Sequence, residues 1–464
     1  MDQALRAQFI AIVGEKNAIT DAADQVSYLK EWRDMWRGQT PVVLRPANTQ
    51  EVSAILKLAD ETNTKIVPQS GNTGLVNGQI PQCDEVLLSL NRMTNIIEVD
   101  AANNTMTVEA GCILQNVQKA AEEVDRLFPL SLASEGSARI GGNLSSNAGG
   151  LNVLAYGNTR ELCLGLEVVL ADGRIWNGLR ALRKDNTGYD LKDIFIGAEG
   201  TLGVITAAVL KLFPRPRRYD TCFCAVPSPQ HALDLLNAVK AASGNRVVAF
   251  ELLPAIGVDF AVRHMQAINP LATASPWYVL FEIADGSAEA ALEEALATGI
   301  ITDASVAQPE AQRQSFWHLR ESLSESQKFE GGSIKHDVSV PVSKVPDFLE
   351  AAMAAVKLFM PEARPCPFGH MGDGNIHFNI SQPAGMDKQA YLAQWQAMND
   401  VVFAEVLKRN GSISAEHGIG RLKAHDMLKI KSPVELAMMR ALKQTFDPRN
   451  ILNPGRVLPL ESES

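Results

Sequence analysis

The sequence predicts an α+β fold in at least two domains, and three observations support this. A chain of 464 residues is too long for one simple hydrophobic core. Helical and alternating apolar patterns are interleaved along it. The segment PRPRR, residues 214–218, interrupts these patterns with prolines and like charges. We therefore predict a first domain over 1–218, a second over 219–410 and a C-terminal segment over 411–464.

The first domain begins with alternating helix and strand signals. Residues 41–63 predict a short strand and then a helix capped near Asn48 or Thr49, because its apolar residues recur at helical spacing. Residues 64–78 predict a strand that enters a glycine-rich loop. The alternation over 95–111, around an Asn-Asn pair, predicts a β-hairpin, and 113–124 predicts a helix. A second glycine-rich loop and the strand-like stretch 164–176 complete the pattern.

The second domain repeats both kinds of element in a different arrangement. Residues 232–242 and 288–297 have the pattern of amphipathic helices. Residues 277–284 and 336–342 have the pattern of strands, which we expect in an antiparallel sheet. The tail 446–459 carries prolines and few apolar residues, so we predict that it lies along a surface.

Composition and charge exclude several classes of partner. The formal net charge of -10 argues against nucleic acid and anionic membranes, which both select positive surfaces. A few local cations can still bind an acidic small molecule. The N-terminus has no basic region followed by a long apolar run, so we expect no signal peptide, no membrane helix and a cytoplasmic location. The six scattered cysteines predict buried, reduced thiols.

Two glycine-rich stretches, 68–78 and 141–150, are candidates for binding an anion. Neither a GxGxxG turn between strand and helix nor a GxxxxGK[ST] loop is present. Successive small residues let backbone N–H groups converge on an anion, and Ser70, Asn72, Thr73, Ser145 and Ser146 add donors. Two such loops suit a diphosphate. The alternative is that both are only flexible turns.

The motif GHMGDGNIH, residues 369–377, places two histidines around a tight turn. If 375–380 is a strand, His377 and Asn379 share one face, and His370 can fold back beside His377. Glu416, in SAEHGIGR, could complete a set of two histidines and a carboxylate around a metal, while His417 handles a proton. The alternative is a structural histidine pair in a hairpin.

Two cations of the second domain are candidates for binding a carboxylate. Arg320 lies in a mixed aromatic and polar stretch, SFWHLRESLSES, and its planar guanidinium suits a carboxylate. Lys335 opens an alternating strand of the same domain. The alternative for each is a solvated surface charge.

Four motifs in order resemble the FAD-linked oxidases of the vanillyl-alcohol oxidase type: the two glycine-rich loops, GAEGTLGVIT at 197–206 and ILNPGR at 451–456. The resemblance implies a two-subdomain FAD-binding domain, a substrate (cap) domain and a C-terminal segment that returns to the FAD domain. It also implies non-covalent FAD, because neither loop carries the His or Cys that attaches flavin in some relatives. The implied FAD contacts are Gly71, Asn72, Thr73, Gly74, Ser134, Gly141, Gly142, Ser145, Asn147, Gly200, Ile205 and Asn453.

Within that family, GHMGDGNIH and SAEHGIG resemble the 2-hydroxyacid branch. This implies that His370, His377 and Glu416 bind a divalent metal, expected to be Zn²⁺, and that His417 is the base. Hydride would pass from the substrate to flavin N5.

The set of Arg320, Ser324, Lys335 and Asn379 is most similar to the D-2-hydroxyglutarate dehydrogenases, although threonine is more usual where Ser324 stands. A second cation favours a dicarboxylate. D-lactate, glycolate and D-malate are the alternative substrates, and a non-catalytic flavin-binding subunit of an electron-transfer assembly is the alternative function. The electron acceptor stays open between an electron-transfer flavoprotein, a quinone and oxygen, and a homodimer is the expected oligomer.

Overall fold

A computed structural model describes residues 1–82 and 84–460 of the chain. Its contacts divide the chain into two compact units. The first unit comprises Met1–Gly149, Gly157–Arg215 and Glu416–Ser464, and the second comprises Gly150–Tyr156 and Pro216–Ala415. The chain thus leaves the first unit within the PRPRR segment and returns to it between Ala415 and Glu416. The short excursion at 150–156 was not predicted from the sequence.

The first unit alternates helices and strands over its described residues. Its helices are α1 (Gln3–Val13), α2 (Ala22–Leu29), α3 (Thr49–Thr62), α4 (Leu114–Glu122), α5 (Ile140–Ser146), α7 (Lys192–Phe195), α15 (Ala424–Ile430) and α16 (Pro433–Phe446), with a 3₁₀ turn at Glu15–Asn17. Its strands are β1 (Ala18–Ile19), β2 (Val43–Leu44), β3 (Ile66–Gln69), β4 (Val86–Ser89), β5 (Ile96–Asp100), β6 (Thr105–Glu109), β7 (Arg126–Leu127), β8 (Cys163–Val169), β9 (Ile175–Gly178), β10 (Val204–Lys211) and β11 (Phe213–Pro214).

These strands form two main sheets. One is mixed, in the order β1-β2-β4-β3, with β4 parallel to both β2 and β3. The other is antiparallel, in the order β5-β6-β10-β8-β9. The predicted helix start is confirmed, because α3 is capped by the side chain of Asn48. The predicted hairpin is β5-β6, and Asn104 adopts the left-handed conformation that its turn requires, at φ 53°.

The second unit contains two antiparallel sheets. Its helices are α6 (Val153–Tyr156), α8 (Pro229–Ser243), α9 (Ala255–Met265), α10 (Glu289–Ala297), α11 (Glu310–Ser326), α12 (Val345–Phe359), α13 (Lys388–Leu392) and α14 (Trp395–Leu407), with 3₁₀ turns at Gln327–Glu330 and Val342–Lys344. Its strands are β12 (Tyr219–Val226), β13 (Val247–Pro254), β14 (Trp277–Ala284), β15 (Asp303–Val306), β16 (Ser333–Ser339), β17 (Arg364–Phe368) and β18 (Asn375–Ser381).

The two sheets of this unit meet at one backbone bridge. Their orders are β13-β14-β12-β15 and β16-β18-β17. Leu252 of β13 exchanges backbone hydrogen bonds with Gly369, which follows β17, at 2.9 and 3.1 Å. This bridge brings the middle of β13 to the start of the GHMGDGNIH turn. The predicted antiparallel sheet of the second domain is therefore confirmed, and it is one of two.

The second glycine-rich stretch differs from the predicted loop, because its first half is the helix α5. Glycine permits this close packing. A Cβ built on Gly141 would lie 2.7 Å from the Cβ of Ala110, so that only a residue without a side chain fits there. Asn147 ends the helix in the left-handed conformation, at φ 51°. The glycines serve close helix packing as well as a turn.

The prediction for the tail was wrong, because residues 451–456 are buried in the first unit. Leu452 bridges to Ile66 beside β3. Arg456 is 2% exposed and pairs with Glu85, with N···O distances of 2.5 and 2.9 Å. A buried ion pair with a distant carboxylate keeps this proline-containing tail inside, which its own composition does not reveal. Across the described residues, no helix is long and apolar enough to cross a membrane.

Candidate active site

The two glycine-rich stretches line one cavity of the first unit, with a volume of about 420 Å³. Residues 68–76 supply one wall, 141–149 another and 199–205 a third. The predicted FAD contacts that line it are Gly71, Asn72, Thr73, Gly74, Ser134, Gly141, Gly142, Ser145, Gly200, Ile205 and Asn453. The fold therefore brings together residues that are up to 382 positions apart in the chain, from Gly71 to Asn453.

Asn147 is the one predicted FAD contact that does not line this cavity. Its side-chain Oδ1 accepts a hydrogen bond from the backbone N–H of Arg160 at 2.9 Å. Its backbone N–H donates to the carbonyl of Leu144 as the helix ends. Asn147 therefore shapes the end of α5, and its side chain is engaged with the protein.

Several buried polar atoms of the cavity wall have no hydrogen-bond partner among the described residues. They are Ser70 Oγ, Asn143 Nδ2 and Asn453 Oδ1. A buried polar group without a partner costs about 1–3 kcal/mol, so such groups mark places where a polar ligand completes the hydrogen bonding. The cavity thus has the donors and acceptors that a nucleotide cofactor needs.

Glu416 and His417 also line this cavity, and Glu199 holds the segment that follows them. The two carboxylate oxygens of Glu199 accept hydrogen bonds from the backbone N–H groups of Ile419 (2.7 Å) and Gly420 (2.8 Å). The Glu199 carbonyl accepts one from Asn453 Nδ2 at 2.7 Å. Burial raises the pKa of Glu199 against the opposing effect of these two N–H groups. One residue thus holds both the tail, at Asn453, and the backbone two and three residues after His417.

The second unit gathers the other predicted site residues around a buried carboxylate, Glu251 of β13. Its Oε2 accepts from Arg320 Nε at 2.6 Å, and its Oε1 lies 2.6 Å from His370 Nδ1. Burial acts to raise the pKa of Glu251, but Arg320 and His370 outweigh it and lower that pKa to about 2. The Arg320 guanidinium also lies over the ring of Phe368, 5.2 Å from its centroid. Arg320 is 7% exposed, so the interpretation as a surface charge is excluded.

The paired strands β16 and β18 present polar side chains opposite one another. Lys335 pairs in register with Asn379, and Asp337 pairs with His377. His377 Nδ1 lies 3.8 Å from Asp337 Oδ1, and its ring centroid lies 5.3 Å from that of His370. The described side chains whose donor atoms lie within 4.8 Å of one another include Asp337 and His377 but not His370. An imidazole and a carboxylate are donors that suit a borderline divalent metal.

Lys335 reaches across to the end of α11. Its Nζ donates to Ser324 Oγ at 3.2 Å and to the Ser324 carbonyl at 3.3 Å. Arg320 and Ser324 stand one turn apart on that helix, so they share a face. The predicted residues Arg320, Ser324, Lys335, Asn379, His370 and His377 therefore cluster within this unit.

The end of the second unit contacts the strand that carries Asp337. Ala415, the last residue of the second unit, donates its N–H to the carbonyl of Asp337 at 3.2 Å. Glu416 is the next residue in the chain and the first of the returning segment.

Three carboxylates of these sites were missed from the sequence: Glu199, Glu251 and Asp337. Glu251 is the only charged residue in the strand VVAFELLP, and a lone charge in an apolar strand indicates a buried partner. Asp337 stands two residues after Lys335, so alternation places both on one face. Glu199 lies within the GAEGTLGVIT motif, from which the resemblance implied only Gly200 and Ile205 as FAD contacts.

Two family models and several curated relatives match this chain. The family model for "FAD linked oxidases, C-terminal domain" matches residues 215–457, and that for "FAD binding domain" matches 40–178. The chain is 39% identical to a D-2-hydroxyglutarate dehydrogenase, mitochondrial, of Danio rerio over 95% of this chain and 83% of that one. It is 34% identical to a D-2-hydroxyglutarate dehydrogenase of Stutzerimonas stutzeri, over 98% and 99% of the two chains.

Solved structures confirm the predicted fold. A p-cresol methylhydroxylase aligns with a TM-score of 0.75 at 17% identity, over 99% of this chain and 98% of that one. An alkyldihydroxyacetonephosphate synthase aligns with a TM-score of 0.75 at 17% identity, over 98% and 86%. The matched domains and relatives make the protein an FAD-dependent hydroxy acid dehydrogenase. The chain belongs to the FAD-linked oxidase family and, within it, to the group that contains the D-2-hydroxyglutarate dehydrogenases.

Proposed function

We propose that the protein oxidises D-2-hydroxyglutarate to 2-oxoglutarate, with non-covalently bound FAD and a divalent metal, Zn²⁺. The identity of 34–39% with D-2-hydroxyglutarate dehydrogenases over nearly the whole chain supports the reaction. One structural observation carries the substrate class. Arg320 is a buried cation, and one of its guanidinium nitrogens has no hydrogen-bond acceptor among the described residues.

Arg320 is suited to bind a substrate carboxylate. Its Nε is held by Glu251, whereas its buried Nη2 has no acceptor among the described residues. A guanidinium nitrogen in this state favours an anionic ligand, because a charge-assisted hydrogen bond would remove the cost of the unused donor.

Lys335 supplies the second cation that a dicarboxylate requires. It stands beside Ser324 and opposite Asn379, which offer a hydroxyl and an amide to the same ligand. A substrate with one carboxylate, such as D-lactate, has no group that needs Lys335. The pair of cations therefore favours a 2-hydroxy dicarboxylate over a monocarboxylate.

Proton transfer is assigned to His417 and metal binding to His370, His377 and Glu416. When bound, the metal would lower the pKa of the substrate hydroxyl and FAD would accept the hydride. The His417 imidazole accepts the hydroxyl proton in this proposal, and the Glu199 clamp on the following residues restrains its position. The unsatisfied atoms of Ser70, Asn143 and Asn453 support FAD in the cavity of the first unit.

The test is anaerobic bleaching of the purified flavoprotein with D-2-hydroxyglutarate and, separately, with D-lactate. We expect rapid bleaching by D-2-hydroxyglutarate and its loss after thorough chelation. In Lys335→Met, KM for D-2-hydroxyglutarate should rise by about 10–150-fold, the equivalent of one charge-assisted contact of about 1.5–3 kcal/mol. The exposed Lys344 of the same unit provides the matched control, Lys344→Met, which should leave KM unchanged.

Equal bleaching by both acids, or a Lys335→Met protein with wild-type KM, would contradict the dicarboxylate assignment. Full activity after the metal has been removed would contradict the proposal that the reaction requires a metal. Acid precipitation of the protein should release intact FAD if the cofactor is bound non-covalently. A flavin that stays with the precipitated protein would contradict non-covalent binding.

A further inference from the structure

We propose that Glu251 is a positioning residue that couples the metal ligand His370 to the carboxylate-binding Arg320. This inference rests on the proposed function, since it concerns how two residues of that site are held. Glu251 itself has no exposed surface, so it acts through its neighbours.

Each oxygen of the Glu251 carboxylate contacts a different partner. Oε1 lies 2.6 Å from His370 Nδ1, and Oε2 lies 2.6 Å from Arg320 Nε. The Leu252–Gly369 backbone bridge fixes the strand that carries Glu251 against the turn that carries His370. The carboxylate is therefore held on a rigid element, and neither partner can move without breaking a short hydrogen bond.

The contact with His370 selects one tautomer of the imidazole. A carboxylate only accepts hydrogen bonds, so Nδ1 of His370 carries a proton, and in the neutral imidazole the lone pair is on Nε2. That tautomer is the one that binds a metal through Nε2, and a carboxylate behind a metal-binding histidine commonly raises its basicity as well. Glu251 thereby sets His370 in the form that its proposed role requires.

The contact with Arg320 selects the orientation of the guanidinium. Holding Nε on Glu251 while the ring of Phe368 lies under the guanidinium leaves the buried Nη2 for a ligand. One carboxylate thus orients a residue for the metal and a residue for the substrate. A change at Glu251 should weaken both functions together, although Glu251 contacts neither ligand in this scheme.

The substitution Glu251→Gln tests the coupling because it changes one oxygen to a donor with little change in shape. If the amide oxygen stays on Arg320, the amide NH₂ faces His370 Nδ1 and favours the tautomer protonated at Nε2. If the amide is flipped, its NH₂ faces Arg320 Nε instead, and two donors oppose each other. The first orientation is favoured, because an imidazole can change its tautomer whereas a guanidinium nitrogen cannot become an acceptor. The neutral amide oxygen also holds Arg320 less strongly than the carboxylate does, so both partners are affected.

Three measurements on the full-length protein follow from this. First, ¹⁵N NMR of the metal-free protein should show His370 protonated at Nδ1 in the wild type and lose that signature in Glu251→Gln, with His370→Gln identifying the signal. Second, zinc affinity measured by chelator competition should fall about 10–100-fold. Third, KM for D-2-hydroxyglutarate should rise.

Glu282→Gln is the matched control. Glu282 is also a buried carboxylate paired with an arginine, on the neighbouring strand β14, and it accepts from Arg313 Nε at 2.6 Å and Trp317 Nε1 at 2.8 Å. Its loss tests the general effect of removing a buried ion pair from this sheet. We expect it to lower thermal stability while leaving zinc affinity and the His370 tautomer as in the wild type.

The outcomes separate this inference from the proposed function. A wild-type protein that neither binds zinc nor oxidises D-2-hydroxyglutarate would contradict the proposed function, and the tautomer of His370 would still test Glu251. A Glu251→Gln protein with wild-type tautomer, zinc affinity and KM would overturn the inference, as would equal losses in Glu282→Gln. If Glu251→Gln fails to fold, Glu251→Asp replaces it. Its shorter side chain cannot span both partners, so wild-type zinc affinity and KM in that variant would also overturn the inference.

Discussion

The clamp that Glu199 forms on the Glu416–His417 segment predicts a loss of turnover from a substitution that preserves shape. In Glu199→Gln the amide oxygen can accept from only one of the two N–H groups of Ile419 and Gly420, and the amide NH₂ opposes the other. Unlike a hydroxyl, a backbone N–H cannot rotate to become an acceptor. The substitution therefore replaces two charge-assisted hydrogen bonds with one neutral bond.

The size of the effect follows from those bonds. Hydrogen bonds to a charged group contribute about 1.5–3 kcal/mol each and a neutral one about 1 kcal/mol, so the clamp loses about 2–5 kcal/mol. Even the lower value corresponds to about a 30-fold shift in the equilibrium between the held and the displaced segment. We expect kcat for D-2-hydroxyglutarate to fall at least about tenfold, because His417 belongs to this segment. Flavin absorbance at constant protein concentration should show that FAD stays bound.

Glu167→Gln is the control in the same unit. Glu167 Oε1 accepts from the hydroxyl groups of Thr49 (2.6 Å) and Thr206 (2.8 Å), and an amide oxygen can accept from both in the same way. Its kcat should therefore stay within about twofold of the wild type. A Glu199→Gln protein that retains wild-type kcat, or equal losses in the two variants, would refute the reasoning that the clamp positions the proposed base, His417.

Two further predictions concern the fold around these sites. Arg456→Met should lower the free energy of unfolding, measured by circular dichroism in urea, by about 3–5 kcal/mol because it leaves Glu85 buried without its partner. Arg449→Met is the control, because Arg449 is exposed and its Nε lies 3.6 Å from Asp60 Oδ1. It should lower the free energy of unfolding by about 1 kcal/mol or less. Equal losses in the two variants would contradict the argument from burial. Burial raises the pKa of Cys366 to about 12 and of Cys112 to about 11, so iodoacetamide at pH 8 should leave both unlabelled in the folded protein by mass spectrometry. If either thiol is labelled as fast in the folded protein as in the urea-unfolded chain, this prediction is wrong.

Local patterns were sufficient for much of the fold. The Asn48 cap, the β5-β6 hairpin and the polar face of β18 each depend on residues within a few positions of one another, so periodicity and turn chemistry reveal them. The helix α5 was not predicted because glycines usually indicate a loop, whereas here they allow backbone to approach Ala110. The buried tail was not predicted because its prolines and few apolar residues indicated a surface, and Glu85, the partner of Arg456, is remote in sequence.

The same distinction explains why the sequence offers candidate site residues but does not reveal the residues that hold them. The metal and substrate candidates belong to short motifs whose chemistry is visible in one stretch, such as GHMGDGNIH. Their supports are single carboxylates that act over long separations, 119 residues between Glu251 and His370 and 220 between Glu199 and Ile419. Glu251 is buried and Glu199 is half-buried, and a carboxylate withdrawn from water is retained only with partners that satisfy it. An isolated acidic residue in an otherwise apolar strand, or beside a glycine-rich turn, therefore predicts that two functional segments meet there, although the sequence alone does not identify them.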